Sequence, residues 1–547
     1  MTTIDDARAW LTDDPDARMR AELTATIEAA ESGDAAAAGE LDDAFAGTLQ
    51  FGTAGLRGKI GPGPNRMNVV VVARAAAGLA DYLLQHGGGA VVIGYDARTD
   101  SDLFAHATAQ ILSGAGISAM VLPRPLPTPV LAYAVRELGC AAGVMVTASH
   151  NPPQDNGYKV YLGDGSQIVP PADIEISAAI ARAAALGPVA DLPHGDDWVA
   201  LGDDVADDYV SAIAALVPAT SPREVAVAYT AMHGVGGDVF LQVIDRAGFP
   251  PPIVVADQFA PDPAFPTVTF PNPEEPGAID LALATARAHD VDIVIANDPD
   301  ADRCAVAAPS PDGWRMLTGD EVGALLAWWL VQRGVTTGTF AESIVSCSLL
   351  GQIAESGGLA YAQTLTGFKW IARAPDLAFG YEEALGYCVA PELVKDKDGI
   401  SAALLVIELA ATLKTQGRTV FDVLDELART HGVYLTSQVS ARVADLDRIG
   451  AIMSGLRTAS PTSIGGVPVT RVDDLERGVD GLPPTDGIRF DLGGGTRAII
   501  RPSGTEPKIK CYLQSVETVV GGDLLGARAA AGERLRAMSD DVRRWLQ

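Results

Sequence analysis

Apolar positions along this chain switch repeatedly between helical and strand spacing. Residues 1 to about 50 carry them at helical intervals, Ile4, Ala7 and Leu11, then Met19, Leu23 and Ile27, which predicts a helical preface. From about 66 to 190 the pattern alternates. Val69 to Gln85 reads as a helix, Ala90 to Tyr95 as a strand, Leu103 to Ala115 as a helix and Ser118 to Leu122 as a strand. A Pro-rich turn, Pro123 to Pro129, leads into another helix, and the run Ala141 to Val146 is a further strand. Alternation of this kind predicts βαβ units on a mainly parallel sheet. The acidic helix near Asp203 to Leu216 and the break Val217-Pro218-Ala219-Thr220-Ser221-Pro222 read as a linker. A second α/β block follows, with strands at Glu224 to Tyr229, Ile253 to Val255 and Val291 to Ala296. A third begins at about Gly319 and includes Thr339 to Ser346, Ala360 to Leu365 and the helices after Gly399. From about Val433 the strands are more polar, and a helix closes the chain. The pattern predicts an α/β protein of three similar blocks and a distinct fourth.

Length and composition narrow the function. The 547 residues suffice for about three to five domains. A 48% hydrophobic content is that of a globular protein, and the net charge of −30 excludes a broad basic surface for nucleic acid. An anionic small substrate remains compatible if basic groups converge in a cleft. The five scattered cysteines, with no Cys-x-x-Cys pair, fit a reducing cytoplasm and buried thiols. The N-terminus is acidic and leads into no apolar signal segment, and the run Val322 to Val331 is about half the ~20 residues of a membrane span. It reads as a buried helix. The expectation is a cytoplasmic protein with no membrane and no nucleic-acid partner, acting as a monomer or homodimer.

Four loops carry candidate chemistry. Thr147-Ala148-Ser149-His150-Asn151-Pro152 follows a strand, and a hydroxyl at a strand end is where α/β proteins place reacting groups. Ser149 is the candidate phosphoryl carrier; a serine that bonds its own turn is the alternative. Asp298-Pro299-Asp300-Ala301-Asp302-Arg303 also follows a strand, and three alternate carboxylates can converge on a hard cation such as Mg²⁺. An EF-hand is excluded, since Arg303 stands where the calcium loop needs Gly and Pro309 where it needs Glu. A hydrogen-bonded Asx-turn is disfavoured because three such carboxylates repel without a cation. Arg501-Pro502-Ser503-Gly504-Thr505, with Lys508 and Lys510, has the composition of a phosphate cradle, an ordinary turn being the alternative. Gly380-Tyr381-Glu382-Glu383-Ala384-Leu385-Gly386-Tyr387 sets paired carboxylates among apolar residues and glycines, where one can accept hydrogen bonds from sugar hydroxyls, a solvated acidic edge being the alternative. The Gly-punctuated loop Phe51 to Lys59 is not a Walker P-loop, although Arg57 can meet an anion. His150 lies beside the candidate serine; His233 reads as a structural residue.

With these loops in this order, the chain resembles the α-D-phosphohexomutase superfamily. Thr147 to Pro152 is similar to its phosphoserine loop, Asp298 to Arg303 to its magnesium loop, Tyr381 to Gly386 to its sugar loop and Arg501 to Pro507 to its phosphate loop. Thr364-Leu365-Thr366-Gly367-Phe368-Lys369-Trp370, Tyr229-Thr230-Ala231-Met232-His233-Gly234 and Glu382-Glu383-Ala384 look most like the phosphoglucomutase-2-like branch. The resemblance implies four domains around a central cleft, at 1–207, 208–315, 316–432 and 433–547: three related mixed α/β domains and a C-terminal α+β domain. It implies that Ser149 is phosphorylated and that Asp298, Asp300 and Asp302 hold Mg²⁺ with a phosphoserine oxygen. Lys159 is implied as general acid/base, with Arg57, His150 and Arg303 as further catalytic residues. Thr366, Gly367, Glu382, Lys397, Arg501, Ser503, Gly504 and Thr505 are implied to bind substrate. The implied activity interconverts hexose 1-phosphate and 6-phosphate of glucose or mannose through a bisphosphorylated sugar, with glucose 1,6-bisphosphate as activator. Many hexomutases have Glu-x-Ser in the sugar loop, and Ala384 here lacks that hydroxyl. A phosphopentomutase is therefore an alternative, and the resemblance adds a sugar bisphosphate synthase, which that branch includes. A magnesium phosphatase and a silent sugar-phosphate sensor are rivals, the first opposed by the separate phosphate cradle and the second by the intact serine and aspartates.

Overall fold

The computed structural model describes residues 3–52, 55–442, 446–502 and 508–546. The chain forms two compact units, one of Met1–Met316 and Gly386–Thr412, the other of Leu317–Leu385 and Leu413–Gln547.

The first unit opens with helices Thr3–Asp13, Ala17–Glu31 and Ala35–Ala44. Asp16 and Asp34 cap the second and third by accepting backbone N–H groups. Their apolar stripe of Ala7, Trp10, Leu23, Ile27 and Leu41 packs on Val70, Ala73 and Ala76 of helix Val69–Gln85. That Ala- and Val-rich helix also packs against helix Ala172–Ala185; a Cβ at Gly78 would stand 2.4 Å from Ile180.

The first sheet contains β1 (Leu56–Lys59), β2 (Val91–Tyr95), β3 (Ala119–Val121), β4 (Ala142–Val146), β5 (Asp155–Leu162) and β6 (Val199–Ala200), in the order β1-β5-β4-β2-β3-β6. β4, β2, β3 and β6 are parallel, but β5 runs antiparallel to both β4 and β1. The sheet is therefore mixed. Residues 147–154 between β4 and β5 are too few for a crossover, so the chain must double back beside the strand it has left. That reversal is the Ser149 loop.

The second sheet repeats the device. It contains β7 (Val227–Thr230), β8 (Ile253–Val254), β9 (Ile293–Ala296), β10 (Ala305–Ser310) and β11 (Gly313–Met316), ordered β11-β10-β9-β7-β8. β9 is parallel to β7 and antiparallel to β10. The reversal between them, residues 297–304, carries the three aspartates. Each reversal needs one left-handed residue, Ser149 at φ +52° and Ala301 at φ +55°. Neither is glycine, so both turns are held against a local conformational cost. The acidic helix expected before this sheet is present as Asp204–Ala214, but it is packed and not part of a linker. Its acids lie on one face, while Val205, Tyr209, Val210 and Ile213 are buried on the other.

In the second unit, β12 (Thr339–Ser343) pairs in parallel with β13 (Ala360–Thr364) and β14 (Leu377–Glu382). Helix Gly319–Gln332, opened by a Thr318/Glu321 capping box, buries the apolar run read from the sequence. Beyond β15 (Gly386–Cys388), which belongs to the first unit, and helix Val420–His431 comes an antiparallel sheet. It comprises β16 (Val433–Arg442), β19 (Arg471–Asp474), β20 (Ile488–Gly493), β21 (Thr496–Pro502) and β22 (Lys508–Glu517), ordered β16-β22-β21-β20-β19; β17 (Ser463–Ile464) and β18 (Val467–Pro468) form a separate hairpin. Helices Leu446–Thr458 and Leu524–Leu546 contribute Met453, Met538 and Val542 to a core with Phe490, Ile500 and Ile509. Among the described residues no single helix is long and apolar enough to cross a membrane.

Candidate active site

The Ser149 hydroxyl is almost fully buried and donates to Asp298 Oδ2 at 2.9 Å, with His150 Nδ1 at 3.1 Å. Residues 149 apart in sequence meet because each stands in the reversal at the end of a central parallel strand. Asp298, Asp300 and Asp302 are buried, and one oxygen from each lies within 4.8 Å of the others. Two glycines let other backbone press on this loop. A Cβ at Gly234 would stand 2.3 Å from Pro299 Cα, and one at Gly399 would stand 2.2 Å from the Arg303 carbonyl oxygen.

Four cations surround the acids. Lys159 Nζ reaches Asp300 Oδ2 at 2.7 Å and Asp302 Oδ2 at 2.9 Å, and Lys397 Nζ reaches Asp302 Oδ2 at 3.1 Å. Arg303 Nε stands 3.8 Å from Asp298 Oδ2 and 3.9 Å from Asp302 Oδ1. Arg57 donates to Asn151 Oδ1 at 3.1 Å, on the serine loop.

Burial works against every charge here, and neighbours decide the outcome. Burial, then the Asp300 and Asp302 charges, push the Asp298 carboxyl well above the usual carboxylate range. For Asp302 burial is outweighed by Lys159, Lys397 and Arg303, which hold it below that range. Burial would lower Lys159, yet Asp300 and Asp302 raise it, so it stays an ammonium. Burial, with Arg303 and Arg57 nearby, lowers His150 far enough to leave a neutral imidazole at pH 7.

The donor set fits a hard divalent cation. It consists of carboxylate oxygens, and Asp300 Oδ1 and Asp302 Oδ1 are buried without a hydrogen-bond donor. These are strong acceptors with no N–H or O–H partner among the described residues.

The remaining candidates belong to the second unit. Glu382 ends β14 and is half-buried. Its neighbour Glu383 is engaged internally: Oε2 accepts from Ser343 Oγ at 3.1 Å and Ser346 Oγ at 2.9 Å, and the Glu383 N–H donates to Ser346 Oγ at 3.1 Å. Thr366 and Gly367, half-buried, follow β13, with Gly367 at φ +105°. Arg501 lies on β21 opposite Lys510 of β22. Burial pushes the Tyr512 phenol up, the Glu383 charge adds to this and Arg501 opposes it, which brings the sugar-loop segment and Arg501 to one tyrosine. Ser503, Gly504 and Thr505 lie outside the described residues.

The sequence alone gave no hint of Thr128. Its hydroxyl donates to Asp300 Oδ2 at 2.7 Å and its N–H to the Asp300 carbonyl at 2.9 Å, fixing that aspartate from the first turn of a neighbouring helix. His233 has the structural role expected, with Nε2 2.8 Å from Thr267 Oγ1.

Comparisons with known proteins identify the family. Family models described as "Phosphoglucomutase/phosphomannomutase, alpha/beta/alpha domain" I, II and III match residues 48–186, 207–311 and 318–431. The corresponding C-terminal domain matches 440–526. A Haemophilus influenzae protein named "Probable phosphomannomutase" is 50% identical over 457 residues, covering 82% of this chain and 93% of that protein. A Homo sapiens protein named "Phosphopentomutase" is 35% identical over 540 residues, covering 87% of this chain and 86% of that one. Among solved structures, a phosphoglucomutase/phosphomannomutase family protein from Burkholderia thailandensis shares the fold, with a TM-score of 0.70 at 21% identity, covering 91% of this chain and 96% of that one.

Proposed function

Because the chain belongs to the phosphoglucomutase/phosphomannomutase family and is a phosphotransferase isomerase, we propose that it interconverts hexose 1-phosphate and hexose 6-phosphate, with Ser149 carrying the phosphoryl group. The observation that carries this reading is the Ser149 hydroxyl 2.9 Å from the first of three buried aspartates. The four domains are 1–207, 208–315, 316–432 and 433–547 on this reading.

Phosphoryl transfer depends on positioning and on charge compensation. Lys159, Arg303, Lys397 and Arg57 provide four positive charges around Asp300, Asp302 and an Asp298 carboxyl that its surroundings push towards the neutral form. A phosphoserine brings about −1.5 to −2, so a divalent cation entering with it leaves the net charge nearly unchanged. Magnesium, held by Asp298, Asp300 and Asp302 with a phosphoserine oxygen, would supply neutralisation and a template for the phosphoryl oxygens. Asp298 and neutral His150 are the acceptors beside the Ser149 proton, and Lys159 is the buried ammonium that can act as acid. Glu382, with Thr366 and Gly367, meets the sugar hydroxyls. Lys397 is a ligand of phosphate oxygens on this reading, and so, in the C-terminal domain, are Arg501, Ser503, Gly504 and Thr505. Glucose 1,6-bisphosphate loads the serine, and the sugar bisphosphate reorients between the two transfers. The buried, unpaired cysteines support a reducing cytoplasmic setting.

A pentose phosphate is the second reading, favoured by Ala384 and by the similarity to the human phosphopentomutase. A coupled assay over glucose, mannose, ribose and deoxyribose 1-phosphates with glucose 1,6-bisphosphate decides. The largest kcat/KM is expected for a hexose; a ribose preference establishes the second reading. Inorganic phosphate released without isomerised sugar overturns both.

A further inference from the structure

The Ser149 turn is gripped from beneath by an ion pair that none of the four loops contains. Arg98, just beyond β2, has a fully buried side chain. Its Nη2 donates to the carbonyl oxygens of Ser149 and Asn151, both at 2.6 Å, and its Nη1 to those of Pro152 at 2.8 Å and Asp155 at 3.2 Å. Asp96 Oδ2 lies 3.4 Å from Arg98 Nε, and the Phe265 ring covers the guanidinium at 4.9 Å. The same Asp96 oxygen accepts the Thr147 hydroxyl at 2.6 Å, and Thr147 Oγ1 in turn accepts the Ser149 N–H at 2.8 Å. Both backbone polar groups of Ser149 are thus tied, directly or through Thr147, to one pair.

We propose that Asp96 and Arg98 are positioning residues for phosphoryl transfer, holding Ser149 in its left-handed conformation so that Oγ is aimed at the aspartate triplet. The proposal rests on the reading of Ser149 as the phosphoryl carrier. Free side chains at positive φ relax to φ < 0 unless the surroundings prevent it. Here the guanidinium prevents it by binding four carbonyl oxygens that converge only when the turn is closed. A lysine keeps the charge opposite Asp96 but has no planar fork to span those four acceptors.

The test compares wild type, Arg98→Lys, Arg98→Met and Thr147→Val, each incubated with glucose 1,6-bisphosphate. Phosphate on the Ser149 peptide is quantified by mass spectrometry, and mutase turnover is expressed per loaded serine. Misplacement of a reacting group by about 1 Å costs about 100-fold, and a kcat loss of that order per loaded serine, with little change in KM, is expected for both Arg98 variants. Arg98→Lys should recover thermal stability better than Arg98→Met without recovering turnover. Thr147→Val, nearly isosteric, should move kcat in the same direction, and it decides the matter if the Arg98 variants do not fold. Normal turnover per loaded serine in the folded variants overturns the positioning role, because a merely structural residue would lower only the amount of folded enzyme. A wild type that turns over without phosphate on Ser149 overturns instead the reading of the site.

Discussion

Replacing Lys159 by methionine tests the metal assignment through stability instead of activity. The substitution keeps most of the apolar stem and removes an ammonium that lies 2.7 Å from Asp300 and 2.9 Å from Asp302. Asp302 retains Lys397 at 3.1 Å and Arg303 at 3.9 Å. Asp300 keeps the Thr128 hydroxyl but loses its ion pair. Removing one partner of a buried pair costs about 3–5 kcal/mol, and at about 2 °C per kcal/mol the unfolding midpoint should fall by roughly 6–10 °C. A divalent cation on the triplet restores positive charge and, in the variant, no longer faces an ammonium. Magnesium should therefore raise the midpoint of Lys159→Met more than that of wild type. At a hundred times its Kd a ligand adds about 2.7 kcal/mol, so the deficit seen in EDTA should narrow markedly. Scanning calorimetry of both proteins, in EDTA and in magnesium, reads the effect. A deficit of equal size in both buffers would refute the shared-carboxylate reasoning.

Two further predictions concern stability and packing. Burial raises Glu342, whose Oε2 has no hydrogen-bond donor among the described residues, to about 7 from the ordinary 4.5. The folded chain therefore holds a proton there that the unfolded chain has released, and this carboxyl weakens stability progressively as pH rises from about 4.5 to about 7, by about 3 kcal/mol in all. Glu342→Gln should match wild type in urea unfolding near pH 5 and exceed it at pH 8; an equal difference at both would contradict the assignment. Gly399→Ala places a methyl 2.2 Å from the Arg303 carbonyl oxygen. Such overpacking costs about 1–3 kcal/mol or more and should raise the magnesium concentration needed for half-maximal activity, an unchanged requirement being the adverse result.

The Ser149 and Asp298 loops were legible as strand-end turns because a polar, Pro-punctuated turn directly after an apolar strand is a local pattern. The helices from Val69 to Gln85 and around Val322 to Val331 were legible for the same reason, since burial follows spacing. The mainly parallel pairing of the first sheet was legible, but the antiparallel β5 was not foreseen, although the eight residues from 147 to 154 are too few for a parallel crossover, a constraint of length that hydrophobic spacing does not register. Helix Asp204–Ala214 was legible as a helix but assigned to a linker, because its acids mask an apolar face that packs in the first unit. Lys397 meets Asp302 and Arg98 meets the Ser149 turn across long stretches of sequence, so nothing local marks either contact. For Lys159 there is a faint local sign, a cation inside the buried strand β5 between Tyr158 and Val160. Arg98 had none, because Asp96-Ala97-Arg98 reads like any solvated bend.

The central claim is that Ser149 carries the transferred phosphoryl group. Peptide mass spectrometry after incubation with glucose 1,6-bisphosphate, before and after a chase with excess hexose 1-phosphate, measures it directly. One phosphoryl group is expected on the Ser149 peptide, discharged by the chase and absent in a Ser149→Ala variant that has lost mutase turnover. Sustained turnover by that variant, or phosphate confined to another residue, would contradict it.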